Sequence, residues 1–182
     1  APLLKGCGYE VAAVLTSDAT RAAHVVEDFP QAVVVSTMQE LITQSLDLVV
    51  VASANIVHAE QAIAALEAGI PTVVDKPMGR DFNETKRIID VATQSGVPVS
   101  TFFNRRWDSD ALTVKRIIRE RSLGPIHRYE SRFERYKPEI ASFGWRDQSD
   151  QESGGGWLLD IQTHLVAGAL DLFGPAEVAF AA

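Results

Sequence analysis

Residues 46–75 read LDLVVVASANIVHAEQAIAALEAGIPTVVD, and the changes of period within them decide the fold. Leu46–Ala52 is an apolar run of strand length, as expected of a strand buried on both faces. His58–Ala68 is helical in composition and stops at Gly69 and Pro71, both helix-ending residues. Thr72–Asp75 returns to a strand, cut off by Pro77.

The same alternation continues outward. Upstream, Glu10–Thr16 and Phe29–Ser36 read as strands, and Arg21–Asp28 and Met38–Ser45 as helices. Downstream, Asp81 with Glu84 three residues on resembles a capping box for a helix over Phe82–Ser95. That helix is stopped by Gly96 and Pro98, within reach of a strand over Val97–Phe103. Short strands alternating with helices predict βαβ units and a parallel sheet. Right-handed crossovers then place helices on both faces. The expected fold is a doubly wound α/β domain over residues 1–104.

Residues 105–182 change character. Asp108–Ser122 reads as an amphipathic helix. In Ile126–Tyr136, Arg128, Glu130, Arg132 and Glu134 share one face and Tyr129, Ser131 and Phe133 the other. One polar face predicts a strand of a mainly antiparallel sheet. Gly154-Gly155-Gly156 precede a long helix over Trp157–Phe173, and Val178–Ala181 reads as a further strand. This half is expected to begin an α+β domain.

The 182 residues carry 17 basic and 24 acidic side chains, a net charge of −7. That balance lacks the electrostatic footprint of a nucleic-acid binder. No run approaches the roughly 18–20 apolar residues of a membrane helix, and no signal peptide is visible. The single cysteine, Cys7, forms no internal disulfide or cysteine-rich metal site, which fits a reducing, cytoplasmic setting. Gly6-Cys7-Gly8 imitates the start of a dinucleotide-binding glycine motif, but position 11 is Val and the glycines precede a strand instead of following one. They read as a helix end and turn.

Two constellations have chemical potential. Lys76 closes a strand at Asp75-Lys76-Pro77, and open α/β sheets bind ligands beyond their strand ends. Lys76 is then either a crevice lysine tuned for proton transfer or a solvated surface lysine before a turn. Asp160 and His164, four apart on one helix face, fit a carboxylate tuning an imidazole. Taken alone, they also fit a surface ion pair or a satisfied buried histidine. The triple glycine ahead of them would let backbone or ligand approach closely.

Four stretches together resemble the glucose-fructose oxidoreductase/inositol dehydrogenase/MocA-like (Gfo/Idh/MocA) family: Val49–Ala62 (VVVASANIVHAEQA), Val73–Met78 (VVDKPM, with Asp in place of the family's Glu), Phe103–Asp108 (FNRRWD) and Gly154–His164 (GGGWLLDIQTH). The resemblance implies a Rossmann-like domain and nicotinamide-dependent oxidation or reduction of a sugar, polyol or related small molecule. It implies catalytic roles for Lys76, Asp160 and His164, and a Lys76–Pro77 bond that can be cis. It implies cofactor contacts at Ser53, Asn55, His58, Asp75, Lys76 and Asn104, and more weakly substrate contacts at Arg105, Trp145 and Arg146. No metal is expected.

At the end of Glu10–Thr16, which matches the family's second strand, Thr16 and Ser17 stand where NAD enzymes usually carry an acidic side chain. Asp18 and Arg21 follow, so the cofactor is NAD or NADP with a lean to NADP. The resemblance further implies a homo-oligomer, and a chain lacking the family's first strand and glycine-rich loop and several C-terminal strands. Such a piece is expected to bind dinucleotide weakly or not at all. The competing reading is a non-catalytic dinucleotide- or sugar-binding regulator of the same fold.

Overall fold

A computed structural model describes residues 2–134, 136 and 154–178. The chain forms two units. The first runs through Val51 and adds Ala59–Val73 and Lys86–Ser100; the second takes Ala52–His58, Val74–Thr85 and the described residues from Thr101 on. The loops that follow two strands of the α/β half thus group with the second half of the chain, whereas the sequence pattern divides the chain at residue 104.

The predicted alternation is present. Helix α1 (Pro2–Gly6) ends in the expected turn at Cys7 and Gly8. Strand β1 (Ala13–Leu15), helix α2 (Ala19–Asp28) and strand β2 (Val33–Val35) follow, and β1 and β2 pair in parallel with Ala13 opposite Val33. Asp18 caps α2 by accepting the Arg21 backbone N–H at 2.8 Å. Helix α3 (Met38–Ile42) opens with a complete capping box, Thr37 and Glu40 each accepting the other's backbone N–H.

Strands β3 (Val49–Val51), β4 (Thr72–Asp75) and β5 (Val99–Phe102) form a second sheet in that order. Helices α4 (His58–Glu67) and α5 (Phe82–Ser95) make the crossovers. The Val49 N–H donates to the Pro71 carbonyl and the Thr72 N–H to the Pro98 carbonyl, so the three strands start side by side and run parallel. This is the Rossmann-like layering. Among the described residues, no hydrogen-bonded ladder joins the β1–β2 pair to this sheet.

Apolar side chains at the inward positions form the core of the first unit. Val49 and Val51 on β3, Ala62, Ala65 and Leu66 on α4, and Ile88 and Ala92 on α5 are all buried. Leu66 on α4 and Ile88 on α5 are the largest fully buried side chains of this core.

In the second unit, a 3₁₀ turn (Asn104–Trp107) leads to α6 (Ser109–Arg119), and a π-helical turn (Leu158–Gln162) opens into α7 (Thr163–Phe173). Asp171 on α7 accepts Lys115 of α6 at 2.9 Å and lies 3.8 Å from Arg106. Two of the sequence expectations differ here. Ile126–Glu134 is not paired as a strand: its alternation fixes two faces, but a strand also needs a ladder partner, and no described residue supplies one. The helix expected over Trp157–Phe173 begins with a wide π turn instead of regular α-helix. Of the strand expected at Val178–Ala181 only Val178 is described, and it is not in a strand.

Candidate active site

The carboxyl end of β4 carries Asp75 and then Lys76, joined to Pro77 by a cis peptide bond. The Asp75 carboxylate accepts the Lys76 backbone N–H at 2.8 Å, which fixes the turn as the chain leaves the sheet. The Lys76 side chain, 15% exposed, then reaches an element 84 residues away. Its Nζ donates to the Asp160 carboxylate Oδ1 at 2.7 Å and to the Asp160 backbone carbonyl at 2.5 Å. A buried ammonium is costly unless paired, and here carboxylate and carbonyl both compensate it. Lys76 is thus largely buried and paired, not solvated at the surface.

Asp160 lies in the π-helical turn, a local geometry frequent at functional sites. One turn on, His164 is half-buried, and its Nδ1 is buried with no hydrogen-bond partner among the described residues. His164 titrates below its ordinary 6.5: burial disfavours the imidazolium, the Lys76 and Arg105 charges add to that, and Asp160 and Asp75 oppose it in part. The ring is held toward its neutral form, able to accept a proton.

His164 also lines a cavity of about 340 Å³ with Phe103, Arg105, Tyr129, Phe133 and Asp171. This is at the small end of the range for ligand pockets. Arg105 sits over the Phe133 ring, 4.9 Å from its centroid, and pairs with Asp108 at 3.4 Å. Lys76, Asp160, His164 and Arg105 thus come together in one unit. Asn104 is exposed on the 3₁₀ turn that bears Arg105.

The remaining expected contacts divide. Ser53 is exposed after β3, whereas Asn55 and His58 are 4% and 1% exposed, with the Asn55 Nδ2 and the His58 ring nitrogens on backbone carbonyls. In the first unit the Thr16 hydroxyl accepts the Asp18 N–H at 3.2 Å, and Ser17 is exposed beside it. Trp145 and Arg146 lie outside the described residues.

Sequence reasoning missed Arg80. Its guanidinium and backbone N–H both bind the Glu84 carboxylate. Glu84 therefore completes only half of the predicted capping box: Asp81 accepts the Glu84 N–H, but the Glu84 carboxylate turns to Arg80. Burial pushes the Glu84 carboxyl up, and the hydrogen bonds and charge of Arg80 outweigh it, leaving the group below its ordinary value. An acidic residue at N3 announces a capping box, but nothing in the pattern names the competing guanidinium.

Two family models match the chain: an oxidoreductase family with an NAD-binding Rossmann fold over residues 2–103, and the GFO/IDH/MocA C-terminal domain over residues 111–182. The chain is 39% identical to the uncharacterized oxidoreductase YdgJ of Escherichia coli over 176 residues, 96% of this chain and 49% of that protein. It is 35% identical to the scyllo-inositol 2-dehydrogenase (NADP(+)) IolW of Bacillus subtilis, across 91% of this chain and 45% of that one. The solved structure of YPO2259 from Yersinia pestis superposes with a TM-score of 0.79 at 41% identity, covering 92% of this chain and 46% of that one. The chain spans about half the length of these relatives. With both of its halves matched in order, the chain belongs to the Gfo/Idh/MocA family of oxidoreductases.

Proposed function

We propose that Lys76, Asp160 and His164 handle the hydroxyl proton in a nicotinamide-dependent oxidation or reduction at a carbinol carbon of a polyol- or sugar-like small molecule. The observation that carries this is the Lys76–Asp160 pair at 2.7 Å beside a histidine with a depressed pKa, whose Nδ1 has no partner among the described residues. An ammonium, a carboxylate and a neutral imidazole at a strand end fit a substrate that must lose hydride and proton from one H–C–O–H group. A bound nicotinamide dinucleotide supplies the hydride acceptor.

His164 takes the hydroxyl proton, a task that suits an imidazole kept neutral near physiological pH. Lys76 offers positive charge and an N–H to the oxygen as alkoxide character develops. Two of its three N–H donors are directed to Asp160, which holds the ammonium in place while the third serves the substrate oxygen. Asp160 also limits how far Lys76 depresses His164. Arg105, on the same cavity wall as His164, contacts further substrate oxygens.

The cofactor reading leans to NADP. Asp18 is engaged as the α2 cap, so the β1 end presents the small side chains of Thr16 and Ser17 with Arg21 close in sequence. None of these repels a 2′-phosphate. The likeness to an NADP-named scyllo-inositol dehydrogenase agrees with this lean and with a polyol substrate.

In the intact protein, Lys76→Ala and His164→Ala each lower turnover by about 10²–10⁴ while circular dichroism shows the fold retained. Near-normal turnover in either variant refutes the assignment. Sugar or dinucleotide binding without any turnover by the wild type would favour the regulatory reading. Titrating NAD against NADP tests the cofactor lean, and about a hundredfold preference for NAD overturns it.

A further inference from the structure

Asn55–Val57 forms a 3₁₀ turn that runs into α4 at His58. The turn buries an amide and an imidazole almost completely, at 4% and 1% exposure. Burying such groups is costly unless hydrogen bonds compensate them. Asn55 Nδ2 donates to the Gly154 carbonyl at 2.7 Å. His58 Nδ1 donates to the Pro77 carbonyl at 2.8 Å, and its Nε2 lies 3.2 Å from the Ser53 carbonyl.

These two acceptors matter because of what they adjoin. Pro77 follows Lys76 directly, and Gly154 opens the glycine run that leads into the turn bearing Asp160. Residues three apart in a 3₁₀ turn stack on one side, so one rigid turn grips both elements. The glycine run fits closely: a Cβ at Gly154 would lie 3.0 Å from Asn55 Cβ, 3.2 Å from the Ile56 backbone nitrogen and 3.2 Å from Arg80 Cδ. Arg80, three residues beyond Pro77 and braced by Glu84, closes the other side.

We propose that Asn55 and His58 are positioning residues, a clamp that sets the register of Lys76 against Asp160 and His164, rather than contacts to the cofactor. The Asn55 Nδ2 and both His58 ring nitrogens are turned inward to backbone carbonyls. The consequence for rate rests on the proton-handling reading of Lys76, Asp160 and His164; the geometric claim does not. A misplacement of about 1 Å at such a cluster costs about a hundredfold in rate.

The test uses Asn55→Ala, His58→Leu and His58→Asn in the intact protein, the last restoring an N–H near the position of Nδ1. Two readouts separate the possibilities: the His164 titration midpoint by imidazole NMR, which needs no turnover, and kcat alongside the Kd for NAD and NADP. The clamp predicts that Asn55→Ala and His58→Leu move the His164 midpoint up toward its ordinary value, as Lys76 and the burial around the ring are displaced. It predicts kcat falling about 10- to 100-fold with dinucleotide Kd changed by less than about threefold, and His58→Asn recovering most of both effects. An unmoved His164 midpoint in folded Asn55→Ala overturns the clamp, as does dinucleotide Kd rising in step with the loss of turnover. If His58→Leu does not fold, Asn55→Ala and His58→Asn carry the same test. Should Lys76→Ala keep full turnover, the proton-handling reading falls, and the midpoint shift still decides the clamp.

Discussion

Replacing Gly154 by alanine separates two costs. The residue sits at φ 71°, the left-handed region. A side chain there costs about 1–2 kcal/mol from backbone sterics alone. The added methyl would also stand 3.0 Å from Asn55 Cβ and 3.2 Å from the Ile56 nitrogen, and the latter is backbone that cannot swing aside. Overpacking of this kind costs about 1–3 kcal/mol. The expected total for Gly154→Ala is about 2–5 kcal/mol.

Gly124, in the same unit, supplies the control. Its φ is 70°, yet a Cβ there meets nothing within 4 Å. Gly124→Ala therefore carries the backbone cost alone, about 1–2 kcal/mol. Urea unfolding of both variants, followed by far-ultraviolet circular dichroism and tryptophan fluorescence, isolates the packing contribution as their difference. That difference is meaningful if the m-values match the wild type, since a changed slope would signal an altered unfolding transition. Equal losses in the two variants refute the close packing of the glycine run on the Asn55 turn.

Three further perturbations follow from the geometry. Lys76→Met removes a charge that depresses His164, and Asp160→Asn removes one that raises it, so the imidazole midpoint moves up in the first and down in the second; NMR titration reads both, and movement in the same direction contradicts the arrangement. Because folding lowers the His164 pKa, the unfolded chain takes up the proton first, and stability declines as pH falls below about 6.5; His164→Gln flattens that part of a urea-midpoint profile between pH 7.5 and 5. Asp171→Asn removes two exposed ion pairs to α6 and the Asn104–Trp107 turn, worth less than about 1 kcal/mol together and vanishing in about 1 M salt.

What could be read from the sequence was what is decided locally. The observed bounds of β4 and α5 coincide with the expected ones, because Pro77, Asp81, Gly96 and Pro98 act on their own neighbours. The lysine at the strand tip and the Asp160–His164 face were visible for the same reason. That Lys76 and Asp160 share a site was implied by the family resemblance alone, since spacing says nothing about residues 84 positions apart. The resemblance implies cofactor contacts at Asn55 and His58, but composition cannot tell whether an amide points outward to a ligand or inward to a carbonyl. Similarly, the alternation of Ile126–Tyr136 shows which side chains share a face and leaves open whether another strand lies alongside.

The charge arrangement explains why the three polar residues belong together. Lys76 without Asp160 would leave an ammonium at 15% exposure with only a carbonyl to compensate it, and would depress the imidazole unopposed. Asp160 without Lys76 would raise the His164 pKa against burial and Arg105 alone. With both present, the Lys76 Nζ is held on the Asp160 carboxylate, and the His164 ring is held toward its neutral form with its Nδ1 lacking a partner among the described residues. In the proposed reaction, a cation that stabilises an oxyanion and a base that accepts its proton work against each other unless a third charge mediates, and the π-helical turn places a carboxylate one turn ahead of the histidine.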